Sequence, residues 1–246
     1  MVGIWQWERS GHDMGMFYWD PTYILVLIGM VLCLGASAMV NSAMGKYSRV
    51  RNSTGMTGAE AARRILNNEG LYNVQIECLK SGSGDHYDPR SNTVRLSCDN
   101  YSQPSVTAVG VAAHECGHAI QHAKGYAPLN FRSALVPVAN IGSTIGMPLI
   151  ILGVILSWNR VLIEIGIWAF SLAVLFQLVT LPVEFNASAR AVAKIDQYGL
   201  LNGDEAKGCR KVLTAAAMTY VAAAASSILQ LLRLILLFGG NRRNDD

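Results

Sequence analysis

The sequence predicts a mainly α-helical integral membrane protein that also carries a small β-hairpin or sheet. Hydrophobic residues make up 51% of the 246 residues and charged residues only 15%, whereas soluble domains contain about 25% charged residues. The apolar residues are collected into long uncharged runs, as in membrane-spanning helices. This hydrophobicity excludes a disordered chain. The net charge of +3 is too small to indicate a nucleic-acid-binding surface.

The first uncharged run, at 23–40, is about long enough to cross a hydrocarbon core of roughly 30 Å. A cleaved signal peptide is the competing interpretation, because Ala36 and Ala38 have the small-x-small spacing of a cleavage site. The preceding segment, however, is more acidic than basic, whereas a signal peptide begins with a short basic region. We therefore expect residues 1–40 to form an N-terminal segment and a first transmembrane helix.

Residues 136–181 contain two further apolar runs and are predicted to form a transmembrane helical hairpin. Only Asn159 and Arg160 separate the two runs, so the turn between the helices must be tight. Gly142 and Gly146 have G-x-x-x-G spacing, which allows another helix to approach closely.

The distribution of basic residues predicts the orientation in the membrane. The N-terminal segment and the hairpin tip hold one basic residue each. The segments that flank the other ends of the three runs hold Lys46, Arg49, Arg51, Lys124, Arg132, Arg190 and Lys194. The positive-inside rule therefore places residues 41–135 and the chain from 182 onward in the cytoplasm.

The last apolar run, at 212–238, has an Ala-rich first half and a second half that contains Gln230 and Arg233. For this run we expect a helix that is buried against the soluble domain and dips into the membrane. A fourth full span is the alternative.

Cysteine usage indicates a reducing compartment. There are five cysteines, an odd number, and no two of them form a C-x-x-C pair. The spacing therefore predicts neither a disulfide framework nor a structural zinc knuckle.

The segment between the first two runs is predicted to contain a helix, a half-buried strand and a β-hairpin, at about 57–69, 74–78 and 86–97. Thr57 and Glu60 have the spacing of a capping box, which marks the start of the first helix. Ser105 marks the start of a second helix, with the sequence VTAVGVAAHECGHAIQHA.

This second helix contains the motif H-E-x-x-H, formed by His114, Glu115 and His118. Residues i and i+4 lie on one helical face, so both imidazoles can reach one Zn²⁺ ion. Glu115 follows the first histidine and can accept a proton from a metal-bound water. The motif predicts a zinc-dependent hydrolase.

A hydrolytic zinc site needs a third protein ligand. In the longer H-E-x-x-H-x-x-G-x-x-H pattern, a glycine would stand at position 121 and a third histidine at position 124. Here these residues are Gln121 and Lys124, so a third histidine of that kind is absent. His122 lies two helical turns from His114, too far for a shared tetrahedral site, and is expected at the rim or in solvent. His86 remains an alternative ligand.

Glu184 is the favoured third ligand. It follows the third apolar run, where Pro182 is expected to begin a helix that continues through Lys194. The alternative is that Glu184 is a first-turn carboxylate that only stabilises the helix dipole.

The sequences HECGH and EFNASARA, together with the two-span insertion between them, resemble the YugP-type neutral zinc metallopeptidases of bacterial membranes. More distantly, the chain resembles the HtpX-type membrane metalloproteases. The resemblance implies a zincin-like catalytic domain that is interrupted by the transmembrane hairpin, and it implies peptide-bond hydrolysis. It also implies His114, His118 and Glu184 as zinc ligands and Glu115 as the catalytic base.

One position departs from the HtpX-type pattern, in which an Asp lies four residues after the ligand Glu. Here that position is Ser188, so the residues that orient the two histidines stay open among Asn186, Ser188 and Arg190. Candidate donors to the oxyanion are Tyr220, Arg190 and His122. The strand at 93–97 is either a docking edge for substrate or a core strand.

These features predict a multi-pass protein of the bacterial inner membrane whose cytoplasmic active site hydrolyses polypeptides, membrane proteins among them, with a zinc-activated water. The bilayer is its expected partner, and its oligomeric state stays open. The alternatives are a site-2-type intramembrane protease and a non-catalytic membrane scaffold with a zinc-stabilised domain.

The predicted domain organisation has four segments. The N-terminal segment with the first span comes first, followed by the half of the catalytic domain that carries the H-E-x-x-H helix. The transmembrane hairpin follows, and the other half of the catalytic domain, with the Glu184 helix and the C-terminal apolar helix, comes last. The boundaries are 1–40, 41–135, 136–181 and 182–246.

Overall fold

A computed structural model describes residues 20–79 and 84–239. The helices of this part of the chain are α1 Tyr23–Tyr47, α2 Gly58–Asn68, α3 Cys98–Ser102, α4 Val106–Ala123, α5 Ala127–Ile155, α6 Arg160–Gln197 and α7 Gly203–Phe238. The strands are β1 Gln75–Leu79, β2 His86–Asp88 and β3 Thr93–Ser97. The predicted fold class, mainly helical with a small sheet and membrane-spanning helices, is confirmed.

Four of the described helices, α1, α5, α6 and α7, are long and apolar enough to cross a membrane. Helices α5 and α6 form the predicted hairpin and are joined by residues 156–159. A Cβ added to Gly142 would lie 2.3 Å from the carbonyl oxygen of Ala169 on α6. The close helix approach predicted from the glycine spacing is therefore confirmed.

Helix α7 favours the alternative that the last apolar run forms a fourth full span over a helix that dips into the membrane. Helix α7 is continuous and packs along α1, and its end reaches the far side of the bundle. There the Phe238 ring lies 6.0 Å from the ring of Trp158 in the hairpin connection. Arg233 lies 3.5 Å from the Asp20 carboxylate and stacks over Tyr23, and these contacts accommodate its charge within the candidate span.

The soluble part places a three-stranded sheet and α2 against α4. The strand order is β1-β3-β2, with β1 parallel and β2 antiparallel to β3. Buried side chains of all three layers form the core, including Ile65, Leu96 and Ile120. The capping box of Thr57 and Glu60 is present as predicted.

The position of β3 decides between the two interpretations of that strand. β3 pairs with β1 along its whole length and with β2 at residues 93–95. The backbone N–H of Ser97 donates to the Asp85 carboxylate, so both edges of β3 are occupied. A substrate strand cannot add there, so Thr93–Ser97 is a core strand, and the docking alternative is wrong.

The spacing of the cysteines predicts no disulfide framework, but Cys78 and Cys98 form one disulfide, with their Cα atoms 5.2 Å apart. The parallel register places Cys78 opposite Leu96. Cys98 follows Leu96 by two residues, so it lies close to Cys78. The spacing of the two cysteines in the sequence does not indicate this pair, because the pairing of β1 with β3 brings them together. The other cysteines, Cys33, Cys116 and Cys209, are free.

Candidate metal centre

Helix α4 carries the H-E-x-x-H motif and begins as the sequence predicts. Ser105 caps it by accepting a hydrogen bond from the backbone N–H of Ala108. The helix continues to Ala123, and Gly125 follows with a φ of 60°, a left-handed conformation that favours glycine after a helix. His114, Glu115 and His118 therefore lie well inside a regular helix.

Helix α6 supplies Glu184, but not from a first turn. Pro182 lies inside the helix, which begins at Arg160, so the expectation that Pro182 begins a helix is wrong. Within a membrane the chain has to satisfy its backbone groups internally, which favours continuing the helix through a proline. Glu184 is far from the helix N-terminus, and the helix-dipole alternative is therefore excluded.

Helices α4 and α6 approach closely where the motif faces Glu184. A Cβ added to Gly117 would lie 2.6 Å from the carbonyl oxygen of Ala187. The absence of a Cβ at Gly117 therefore permits the contact between the two backbones. This close contact brings the glutamate within reach of both histidines.

The ring nitrogens of His114 and His118 converge on the Glu184 carboxylate. The distances from Glu184 Oε2 are 3.3 Å to His114 Nε2 and 3.7 Å to His118 Nε2. The ligand atoms of the three residues all lie within 4.8 Å of one another. Two ligands at about 2.1 Å from a tetrahedral zinc ion would lie about 3.4 Å apart, so this spacing matches a zinc site.

The chemistry of the three groups also fits a metal ion. Glu184 is only 3% exposed, and its Oε2 atom has no hydrogen-bond partner among the described residues. A buried carboxylate oxygen without a partner is costly. A cation between Glu184 and the two imidazoles would remove this cost. His114, His118 and Glu184 could therefore hold a zinc ion.

The electrostatics of the cluster favour a positive charge. Burial opposes a charge on His118, but the Glu184 and Glu115 carboxylates outweigh it and raise the pKa of His118 above its ordinary value. The same negative field that favours a proton there would favour a metal cation.

The other ring nitrogens are occupied by partners outside the cluster. His114 Nδ1 lies 3.1 Å from the Ser188 hydroxyl. His118 Nδ1 lies 3.0 Å from the side-chain oxygen of Gln121. These contacts leave both Nε2 atoms free to face Glu184.

A cavity of about 240 Å³ lies over the cluster and holds the proposed base. Glu115 and Tyr220 line it together with His114 and Glu184. Met44, from the last turns of α1, lines the same cavity. The cavity therefore lies where the membrane helices meet the soluble domain.

The remaining predicted residues divide into those near the cluster and those away from it. Asn186 accepts a hydrogen bond from Arg190 at 2.7 Å and another from Gln121 at 3.0 Å. Asn186 and Arg190 are therefore connected to His118 through Gln121. His122 is exposed and contacts the Tyr87 hydroxyl at 2.9 Å. The structure does not place His86 in the metal-binding group.

The contact between Gln121 and His118 was not predicted, because this position was considered only in the search for a third histidine. The spacing from His118 is i,i+3, which places the two side chains next to each other on a helix. This spacing was the available signal.

We expect Gly117→Ala to disturb the metal centre, because the added methyl group would press against the Ala187 carbonyl. Overpacking of this kind costs about 1–3 kcal/mol, so the thermal midpoint and the zinc affinity should both fall. Gly45→Ala is the control, since nothing lies within 4 Å of its added Cβ. Wild-type zinc affinity in Gly117→Ala would show that α4 and α6 can separate without cost.

Comparison with known proteins finds matches that cover both the apolar helices and the soluble part of the chain. The family described as "Putative neutral zinc metallopeptidase" matches residues 22–239. The "Putative membrane protease YugP" of Bacillus subtilis (strain 168) is 48% identical over 198 residues, which are 80% of this chain and 88% of that protein. No solved structure matches the chain.

Proposed function

Because this chain belongs to the neutral zinc metallopeptidase family, we propose that it is a membrane-embedded peptidase that hydrolyses peptide bonds with zinc. The observation that carries the proposal is the convergence of His114 Nε2, His118 Nε2 and Glu184 Oε2 beside a cavity that contains Glu115. The family name and the name of the Bacillus relative support the same activity.

In this proposal His114, His118 and Glu184 would hold the zinc ion. Bound zinc would act as a Lewis acid and would lower the pKa of a water molecule toward about 7. Glu115 then accepts a proton from the attacking water and returns it to the leaving amine. Tyr220 lines the cavity, and we propose its hydroxyl as the hydrogen-bond donor to the oxyanion.

The position of the cavity supports substrates that are cleaved close to the membrane surface. Its wall includes Met44 on α1 and Ala216, Ala217 and Tyr220 on α7, and both helices continue into candidate spans. Polypeptides that emerge from the bilayer, membrane proteins among them, would meet this wall directly.

Zinc content and peptide cleavage by the detergent-purified protein test the proposal. We expect about one zinc per chain, cleavage of casein or a peptide, and loss of cleavage with a chelator that zinc restores. A peptide attached to a transmembrane segment should be cleaved faster than the free peptide. Bound zinc without any cleavage would instead favour a non-catalytic scaffold with a zinc-stabilised domain.

We further propose that the active site faces the cytoplasm. The basic residues that flank the spans on the side of the soluble domain, such as Lys46, Arg49 and Arg51, support this orientation. The Cys78–Cys98 disulfide favours the opposite orientation, since such bonds persist mainly in oxidising compartments. A topology measurement decides between the two.

Reporter fusions give that measurement. A reporter fused after Lys46 should report the cytoplasm, and a reporter at Asn159 should report the outside. A fusion after Phe238 should also report the outside, because the end of α7 lies beside Trp158. The reverse pattern would place the metal centre outside and refute the proposed orientation.

A further inference from the structure

We propose that Arg190, Asn186 and Gln121 form a hydrogen-bond chain that decides which ring nitrogen of His118 carries the proton. The chain keeps the other ring nitrogen free to bind zinc. Gln121 is wholly buried, at 0% exposure, and is therefore a positioning residue that acts through His118. The inference rests on the proposed zinc site, but it does not require peptidase activity.

The direction of the chain is set at Arg190, because a guanidinium group can only donate hydrogen bonds. Its Nε atom donates to Asn186 Oδ1 at 2.7 Å. Asn186 must therefore turn its amide oxygen, and not its nitrogen, toward this side of α6. A reversed amide would place N–H groups against N–H groups.

Gln121 is oriented by the two acceptors that α6 offers. Its Nε2 atom donates to Asn186 Oδ1 at 3.0 Å and to the Val183 backbone carbonyl at 2.8 Å. Since both neighbours are acceptors, the amide nitrogen of Gln121 has to face α6. The amide oxygen of Gln121 is consequently left to face His118.

This oxygen decides the tautomer of His118. It lies 3.0 Å from His118 Nδ1 and can only accept, so Nδ1 must carry the hydrogen. A neutral imidazole has one N–H, and its Nε2 atom then keeps a free lone pair. That atom is the one that faces Glu184 Oε2, which is the state that a zinc ligand requires.

The contacts described for His114 do not fix its tautomer. Its Nδ1 atom contacts the Ser188 hydroxyl, which can either donate or accept. The hydroxyl therefore holds the ring but leaves both tautomers open. Of the two histidines, the described contacts fix the tautomer of His118 and leave that of His114 open.

Zinc affinity of the full-length purified protein, measured by competition with a chromogenic chelator, tests the inference. Gln121→Leu removes the acceptor and should weaken zinc binding by about 10–100-fold, as expected for loss of a group that orients a ligand. Gln121→Glu keeps an oxygen that accepts from His118, but its other oxygen would face the Val183 and Asn186 acceptors. Its thermal midpoint should therefore fall, while its zinc affinity should fall clearly less than that of Gln121→Leu.

The comparison of these two variants excludes a merely structural role. Both variants alter the bonds that Gln121 donates to Val183 and Asn186, so a role limited to joining α4 and α6 predicts that both weaken zinc alike. That result would overturn the proposal. Thr107→Val is the control. Thr107 is a buried polar residue of α4 whose hydroxyl donates to the Met44 carbonyl, away from His118, so this variant should keep wild-type affinity.

Asn186→Ala provides a second test if Gln121→Leu does not fold. It leaves Gln121 and His118 in place but removes the acceptor that fixes the Gln121 amide, so zinc binding should weaken in the same direction and by less. Unchanged affinity in a folded Asn186→Ala protein would contradict the chain. A wild-type protein that binds zinc but cleaves no peptide would refute the proposed peptidase activity and leave this inference standing.

Discussion

Glu115→Gln is expected to lower the rate of peptide cleavage by at least about 10²-fold, the usual scale for loss of a general base. The amide has nearly the shape of the carboxylate but cannot accept a proton from water. The variant should keep its zinc, because the metal-binding group consists of His114, His118 and Glu184. Initial cleavage rates and zinc content of the same preparation give the measurement.

Glu164→Gln is the matched control for this prediction. Glu164 is an exposed carboxylate at the start of α6, paired with Arg160 at 2.9 Å, and it lies at the opposite end of the bundle from the cavity. Its replacement should leave both the rate and the zinc content unchanged. Cleavage by Glu115→Gln near the wild-type rate would disprove the role of Glu115 as the base.

Glu184→Ala is expected to lower zinc occupancy strongly and to abolish cleavage while the protein still inserts into the membrane. The variant removes the oxygen that lies between the two Nε2 atoms, leaving two protein ligands where a hydrolytic zinc site needs three. Glu184→Gln should also weaken zinc binding, because a neutral amide is a poorer ligand for a dication. Metal analysis and chelator competition measure both effects.

Glu164→Ala, on the same helix, is the control for these variants and should retain full zinc. If Glu184 served only the stability of α6, both Glu184 variants would keep their zinc and lose a few degrees of thermal midpoint. That outcome would refute Glu184 as a ligand. Its place in the interior of α6, far from the helix N-terminus at Arg160, already removes the helix-dipole explanation.

The H-E-x-x-H motif could be predicted from sequence because its geometry is local. Residues four apart on a helix share one face whatever the rest of the fold does, and the Ser105 cap and the stop at Gly125 are also short-range signals. The apolar runs were predictable for a similar reason, since each run by itself meets the length that a bilayer requires.

Two of the expectations that the structure does not support concern contacts between segments that are distant in sequence. The Cys78–Cys98 disulfide depends on the parallel register of β1 and β3. Whether the last apolar run can form a full span depends on α1, which packs along it, and on Asp20, which pairs with Arg233. Neither partner can be identified from the residues next to the affected segment.

The sequence by itself determined the membrane-spanning character of the chain, the helix that carries His114, Glu115 and His118, and the candidacy of Glu184. These features follow from hydropathy and helical periodicity, which act between neighbours along the chain. The tertiary structure decided that Glu184 meets both histidines, because the close contact of Gly117 with Ala187 sets the distance between α4 and α6. It also decided that Gln121 faces His118 and α6 at once, since a buried polar group takes its partners from whichever helix packs against it.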